Sequence, residues 1–288
     1  MKLLSFHYHL KINMDAPVSG HHFTLRCIPI SDRRQKIVDL QYYVFPEDYL
    51  SRSADQWGNV LLCGLCSRQH TGFEANICGK AVTGLSGGTP ARDPEKERIF
   101  CFETPLTKAD GALKEFADGL RISSGAPEEA EDGLRTGSGA LKEFADGLRV
   151  SSSSPEEAEA VMHAVHGALV YTPGATTVRT TAAEAFALGK GVCQDYAHIM
   201  LAVLREKRVP ARYVAGMLLG EGESHAWVEV LHEGVWTPYD PTNDIVVTDQ
   251  HIKLSHGRDA QDCAINRGVF RGGAGQSTDI SVIVKECE

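Results

Sequence analysis

Three residues of the chain have the types that thiol-dependent acyl transfer requires: Cys193, His225 and Asp240. Cys193 follows Gly191 at the start of an amphipathic stretch, which places the thiol at a predicted helix N-terminus, where backbone amides favour a thiolate. For a cysteine considered alone, a buried structural thiol is the commoner role. A nucleophile, a base and a residue that orients the base together favour activated-thiol catalysis over that role.

The predicted elements around these residues indicate how they could meet. His225 follows a glycine-containing loop and opens a predicted strand, and Asp240 ends the next one. If the hairpin turns around His232 and Glu233, one of two registers places His225 directly opposite Asp240, with Cβ atoms roughly 4.5–5.5 Å apart. A slip of one residue would put the two side chains on opposite faces. Without that partner, His225 would be an ordinary histidine at a strand edge.

Hydrophobic periodicity predicts two kinds of structure. Over residues 1–102 apolar and polar residues alternate, which is typical of an all-β domain, with a hairpin turn at 55–59. From about residue 151 the pattern is α+β. Helices are predicted up to about 171, at 182–188 and from about 193, and strands at 211–218, 226–231 and 235–239.

A sequence duplication lies between these two regions. Residues 111–121 recur identically at 139–149, and the surrounding segments 111–131 and 139–159 are near copies, offset by 28 residues. Two copies are too few for a repeat architecture, which usually needs three or more. The second copy continues into an amphipathic stretch, so we expect it to be the native one and 111–138 to be an extra copy at the surface.

Composition excludes several functional classes. The chain has 288 residues, 42% of them hydrophobic, and a net charge of -9 with a pI near 5.7. That charge disfavours partners that are nucleic acids or membrane surfaces, because both attract clustered lysine and arginine. There is no apolar run of about 18 residues and no signal-peptide core. Eight cysteines without such a signal predict reduced thiols and a cytoplasmic protein.

Weaker motifs do not indicate a metal or a cofactor. Cys63 and Cys66 have the spacing of a metal or redox pair, but no second pair accompanies them, and structural thiols are favoured. Four further histidines lack metal-site spacing: His198, His232, His251 and His256. No phosphate-binding loop is present, so we expect neither a metal nor a cofactor.

Three motifs resemble those of the bacterial transglutaminase-like family: Gly191-Val192-Cys193-Gln194-Asp195-Tyr196-Ala197-His198, Ser224-His225-Ala226-Trp227 and Asp240-Pro241-Thr242-Asn243. The resemblance covers nearly the whole chain and departs from the family at the duplication and over residues 259–266. It implies a papain-like α+β core in which Cys193, His225 and Asp240 form the catalytic triad. The implied segments are a β-rich domain at 1–105, a connector at 106–138 and the catalytic core at 139–288.

The resemblance implies a reaction through a thioester. The Cys193 thiolate would attack a peptide or protein amide, with its own backbone amide as one oxyanion donor and Gln194 as a candidate for the second. We expect hydrolysis of a peptide or isopeptide bond. Amine transfer to a protein glutamine is the first alternative, and a peptide-binding module that has lost the chemistry is the second. The oligomeric state does not follow from the sequence.

Overall fold

The computed structural model describes residues 1–85, 88–91, 93, 97–120 and 153–287. The protein has an α+β fold rich in strands, as the sequence predicts, and it divides into two units. The first unit comprises Met1–Thr89, Tyr213–Trp227 and Val247–Glu288, and the second comprises Pro90–Arg212 and Val228–Val246. Each unit therefore collects segments that are separated in sequence, and the predicted boundaries near residues 105 and 138 stay a prediction.

The first unit is built from strands. They are β1 (Lys2–Leu25), β2 (Gln35–Phe45), β3 (Tyr49–Ala54), β4 (Val60–Cys66), β5 (His70–Thr83), β10 (Gly220–Gly222), β14 (His251–Gly257), β15 (Asn266–Arg271) and β16 (Gln276–Glu286). Strand β9 (Ala211–Leu218) pairs with β14 through its residues in this unit. The predicted hairpin turn at 55–59 lies between β3 and β4.

Strand β1 organises the core of the first unit. Its first half pairs with β5 and β16, and its second half with β4 and β15. Alternate residues from Leu4 to Ile12 are buried, because successive side chains of a strand point to opposite faces. Their core includes Met217, Ile252 and Val284 from much later in the chain.

Helices surround one central helix in the second unit. They are α1 (Gly111–Gly119), α2 (Pro155–Ala168), α3 (Ala182–Leu188) and α4 (Cys193–Glu206), with a 3-10 turn at Arg98–Cys101. The first three helices all pack against α4. The short strands β7 (Val170–Tyr171) and β8 (Lys190–Gly191) pair in parallel just before α4.

The remaining strands form a hairpin and its extension. Strand β11 (His225–His232) begins in the first unit and continues into the second, where it pairs with β12 (Val235–Asp240). Strand β12 also pairs with β13 (Ile245–Val246). The two-residue strand β6 (Thr89–Pro90) lies at the boundary between the two units in the sequence.

Part of the first duplicated copy forms a packed helix. Residues 111–119 form helix α1, whose Leu113 and Ala117 are fully buried. The side chain of Asp110 accepts a hydrogen bond from the Leu113 amide and caps the helix. One face of this helix is therefore packed while most of its residues are exposed, and the assignment of 111–138 as the extra copy stays a prediction. Residues 121–152, which include most of the second copy, lie outside the described part of the chain.

Among the described residues, no helix combines the length and apolar character needed to cross a membrane.

Candidate active site

Cys193 is the first residue of helix α4 and lies in the second unit. Its side chain is partly exposed, whereas the helix from Asp195 to Arg205 is buried. Two buried cysteines have raised pKa values and are therefore poor nucleophiles. Burial raises the pKa of Cys27 to about 12 and that of Cys101 to about 11. An accessible thiol at a helix N-terminus is the arrangement predicted for the nucleophile.

Asp240 ends strand β12 in the second unit and is fully buried. One carboxylate oxygen, Oδ1, accepts hydrogen bonds from the backbone amides of Thr242 and Asn243, at 3.0 and 3.2 Å. The other, Oδ2, accepts one from the Asn243 side-chain amide at 2.7 Å. These contacts fix the orientation of the carboxylate. Sequence reasoning identified Asp240 and quoted Asn243 in the same motif but assigned Asn243 no role, for which its position after an Asp-Pro turn is the available signal.

The hairpin between β11 and β12 corrects the predicted register. The chain turns at Glu233 and Gly234, with φ angles of 46° and 79°, so both central residues of this two-residue turn are left-handed. His232 pairs with Val235, and Leu231 with Trp236. The predicted turn around His232 and Glu233 is therefore wrong.

The corrected register shifts the strand pairing by two positions. Val228 lies opposite Tyr239, so the register that would place His225 directly opposite Asp240 is wrong. Because strand side chains alternate with a period of two, a two-residue shift leaves each residue on the face that was predicted for it. The predicted sharing of a face by His225 and Asp240 is therefore compatible with the observed turn.

His225 begins strand β11 in the first unit, where two other rings surround it. The ring centroids of Trp227 and His251 lie 6.3 and 5.8 Å from that of His225. Trp227 and His251 also meet each other edge to face at 5.2 Å. A Cβ on Gly216 would come within 2.3 Å of the Trp227 ring, so only glycine fits there. Neither Gly216 nor His251 was identified as a positioning residue from the sequence, because strand pairing brings them to this place.

Comparison with known proteins establishes the family. The model of the transglutaminase-like superfamily matches residues 125–241, a range that contains Cys193, His225 and Asp240. An uncharacterized protein of Mycobacterium leprae is 30% identical over 284 residues, which cover 94% of this chain and 93% of the relative. The chain belongs to the transglutaminase-like superfamily.

Two further similarities accompany this assignment. An uncharacterized protein of Mycobacterium tuberculosis is 32% identical over 142 residues, which cover 42% of this chain and 44% of the relative. A solved structure from Cytophaga hutchinsonii, described as a "putative cysteine protease", covers 100% of this chain and 91% of its own, with a TM-score of 0.73 and 19% identity. At that identity the likeness shows the transglutaminase-like fold.

The Cys63 and Cys66 thiols of this transglutaminase-like chain do not form a common site. They lie three residues apart on strand β4 and therefore point to opposite faces. Cys63 Sγ lies 3.7 Å from Ser53 Oγ, and Cys66 Sγ lies 3.7 Å from His70 Nδ1. Each thiol therefore contacts a different polar group of the first unit, and the structural role that the sequence favours for both stays a prediction.

A second histidine cluster of the first unit is buried among aromatic rings. His21 Nδ1 lies 3.2 Å from His70 Nε2, and the His21 ring meets Phe23, Phe73 and Phe270 edge to face. Burial, with the neighbouring His70 as a second cause, lowers the pKa of His21 to about 4. The buried His21, hydrogen-bonded to the partly exposed His70, bears on stability rather than on chemistry at Cys193.

Proposed function

We propose that the chain catalyses cysteine-dependent acyl transfer on amide bonds and hydrolyses a peptide or isopeptide bond. Cys193 is the nucleophile, His225 the general base and acid, and Asp240 the residue that orients His225. The observation that carries the proposal is the position of Cys193, a partly exposed thiol on the first residue of a buried helix. Membership of the transglutaminase-like superfamily and the cysteine-protease description of the Cytophaga hutchinsonii structure support it.

The reaction has two half reactions. In the first, Cys193 Sγ attacks the amide carbonyl carbon, and the C–N bond breaks as protonated His225 gives its proton to the departing amine. The product is a thioester on Cys193. In the second, His225 takes a proton from water, the resulting hydroxide attacks the thioester carbonyl, and the C–S bond breaks to regenerate the thiolate. The backbone amide of Cys193 supplies one oxyanion donor.

The hairpin supports the role of Asp240. Strands β11 and β12 are joined by a tight two-residue turn, and the carboxylate at the end of β12 accepts three hydrogen bonds from the two residues 242 and 243. A carboxylate that is fixed in this way can select one tautomer of an imidazole on the same face of the hairpin. That is the function we assign to Asp240.

Partners and compartment are part of the same proposal. The substrate is a peptide or protein amide, and the net charge of -9 disfavours nucleic acids and anionic membranes as partners. We place the reaction in the cytoplasm, where thiols stay reduced. All eight cysteines lie in the described part of the chain and are thiols rather than disulfides.

Alkylation by iodoacetamide tests the proposal without knowledge of the substrate. Mass spectrometry would follow Cys193 and, in the same sample, the exposed thiol of Cys78 as an internal reference. We expect Cys193 to react on the order of tenfold faster than Cys78 at about pH 6.5, because only the thiolate is nucleophilic. His225→Ala should abolish that advantage, whereas His7→Ala, at an exposed position on β1, should preserve it.

Two experimental outcomes would change the proposed function. Equal reactivity of Cys193 and Cys78, unchanged by His225→Ala, would contradict the enzyme proposal and favour a peptide-binding module. If Cys193 is activated, screening peptide amides with and without a primary amine follows. Incorporation of the amine in preference to hydrolysis would identify a transglutaminase.

A further inference from the structure

Asp195 is a buried carboxylate at the third position of helix α4, two residues after Cys193. Its Oδ2 accepts a hydrogen bond from the Val192 backbone amide at 2.8 Å. The same oxygen accepts a second one from the hydroxyl of Thr176 at 2.6 Å. One carboxylate oxygen therefore holds both the Val192 amide, directly before the nucleophile, and the hydroxyl of the more distant Thr176.

The loop that carries Thr176 is attached to the segment before Cys193 at a second point. Strands β7 and β8 pair so that Tyr171 lies beside Gly191, and the Thr172 amide donates to the Gly191 carbonyl at 2.9 Å. A Cβ on Gly191 would lie 2.6 Å from Asp195 Oδ2. The close approach of Gly191 to the carboxylate requires glycine, so the loop, the strand end and the helix start form one packed arrangement.

Electrostatics argues that Asp195 does not activate the thiol. An ionised carboxylate close to Cys193 repels a thiolate, and it also competes for the positive end of the helix dipole. Burial raises the pKa of Asp195, while the hydrogen bonds from Thr176 and Val192 act against that increase. A group that opposes the thiolate and nevertheless accepts hydrogen bonds from Thr176 and from Val192, next to Cys193, has a geometric role.

We propose that Thr176 and Asp195 form a latch that positions Cys193 by holding the 172–176 loop against the start of helix α4. The latch consists of the Thr176 hydroxyl, the Asp195 carboxylate and the Val192 amide. Both residues are positioning residues that act through Cys193. This inference rests on the proposed function, since it assumes that the placement of Cys193 matters for a reaction. Fixing a reacting atom in place is a large contribution to catalysis in general.

Two substitutions separate the latch from a charge effect. Thr176→Val removes the hydroxyl and keeps the carboxylate, so alkylation of Cys193 by iodoacetamide at about pH 6.5 should slow on the order of fivefold. Asp195→Asn keeps an oxygen that can accept both hydrogen bonds and removes the negative charge. Its pH profile for alkylation should therefore shift to lower pH. If the carboxylate instead promoted the thiolate, Asp195→Asn would shift the profile to higher pH, which would contradict the latch.

The chain offers a matched control on the neighbouring helix. Thr181 donates to the Glu184 carboxylate at 2.9 Å in the exposed cap of α3, so it is also a threonine paired with a carboxylate. Thr181→Val should leave the alkylation rate within about twofold of the parent. Thr176→Ser restores the hydroxyl and should restore the rate, which shows that a slow Thr176→Val variant is not simply misfolded.

The result that overturns the latch is Thr176→Val alkylating Cys193 as fast as Thr181→Val and the parent. Failure of the proposed function has a different signature. In that case the parent itself shows no advantage of Cys193 over Cys78, and His225→Ala changes nothing. The two proposals can therefore fail separately in one set of measurements.

Discussion

Asn243 shows how a single side chain can bear on chemistry that it does not perform. Its side-chain amide donates to Asp240 Oδ2, while two backbone amides hold the other carboxylate oxygen. The backbone contacts form an Asx-type turn that most residues at position 243 would permit. The side-chain contact depends on asparagine, so it is the part of the Asp240 environment that a substitution can remove selectively.

At this scale we predict that Asn243→Ala weakens the activation of Cys193. Loss of the 2.7 Å hydrogen bond leaves Asp240 Oδ2 with one donor fewer and the carboxylate less well oriented. Alkylation of Cys193 at about pH 6.5 should slow by about threefold to tenfold, which corresponds to the roughly 1 kcal/mol net contribution of a typical hydrogen bond. The rate is measured by mass spectrometry against Cys78.

The neighbouring residue provides the control for this substitution. Thr242 Oγ1 is buried and makes no hydrogen bond to a described residue. Thr242→Val therefore removes a hydroxyl without removing a contact and should keep the parental rate. Equal effects of the two substitutions would mean that the 241–244 turn as a whole, rather than the Asn243 side chain, holds Asp240.

At the scale of elements, periodicity predicted the secondary structure well and the pairing of strands poorly. Helix α3 and strand β9 have the predicted bounds, and helix α4 starts at Cys193, because each has a regular apolar period and clear terminal signals. The register of the β11–β12 hairpin was wrong. It depends on which two residues adopt left-handed angles, and Glu233 with Gly234 was not distinguished from its neighbours.

In the candidate site, the three proposed catalytic residues could be predicted from the sequence, but the residues packed around His225 could not. Cys193, His225 and Asp240 could be selected because each lies at the end of a predicted element. His251, beside His225, and Gly216, beside Trp227, come from strands β14 and β9, whose pairing is long-range. No local pattern in the sequence encodes such a contact, so this part of the site required the structure.

Helix α1 gives the duplication a structural meaning. It packs on α4, with Leu113 buried and Phe116 in contact with Phe186 at 5.0 Å between ring centroids. Ion pairs of Lys114 with Glu206 and of Lys207 with Asp118 lie at its surface. Every residue of this helix recurs at the same spacing in 139–147. The chain therefore carries two sequences with the same side chains for one packing site.

We predict that deletion of residues 111–138 leaves the protein folded. The deletion joins Asp110 to Gly139, and the identical 139–149 sequence then follows the same capping residue. The melting temperature should change by no more than about 3 °C, because the contacts on α4 are rebuilt with the same side chains. Thermal unfolding followed by circular dichroism measures it.

A substitution in the second copy tests whether residues 139–147 take the place of helix α1 after the deletion. In the deleted chain, Leu141 would occupy the buried position of Leu113, so Leu141→Asp should cost about 3 kcal/mol or more of unfolding free energy. In the full-length chain the same substitution should cost far less, because Leu113 still fills the site. Equal costs in both chains would show that the second copy has a packing role of its own.

At the scale of the whole molecule, strands from distant parts of the chain complete the sheet and the core of the first unit. Strand β1 pairs with β16 from Leu4 opposite Glu286 to Met14 opposite Gln276. The core that β1 shares with Met217, Ile252 and Val284 is incomplete without the later segments. A period of two identified the early strands but could not show that strands beyond residue 213 belong to the same unit, since periodicity contains no information about long-range pairing.

The buried His21 links the stability of this unit to pH. Its pKa in the folded protein is about 4, mainly because of burial, and an unfolded histidine has a pKa of about 6.5. Between these values the unfolded chain binds the proton and the folded chain does not, so stability falls as the pH falls. The full effect of such a shift is on the order of 3 kcal/mol, complete near pH 4 and absent above about pH 7.

We therefore predict that His21→Phe makes stability less sensitive to acid. Its aromatic neighbours Phe23, Phe73 and Phe270 can accept another ring, and the buried titrating group is removed. Urea unfolding at about pH 7 and pH 4.5 should show the parent losing about 2 kcal/mol more than the variant. His7→Gln, an exposed substitution on the same strand, should behave like the parent.

The charge of the whole chain determines how this measurement must be interpreted. With a net charge of -9 at pH 7 and a pI near 5.7, the protein loses negative charge down to the pI and becomes positively charged below it, so self-repulsion first falls and then rises between pH 7 and pH 4.5. That general effect is common to parent and variants. The general charge effect cancels when the unfolding free energy of His21→Phe is compared with that of the parent at the same pH. If that difference does not change between the two pH values, protonation of His21 does not limit stability in acid, and the carboxylates of the chain must account for any acid unfolding.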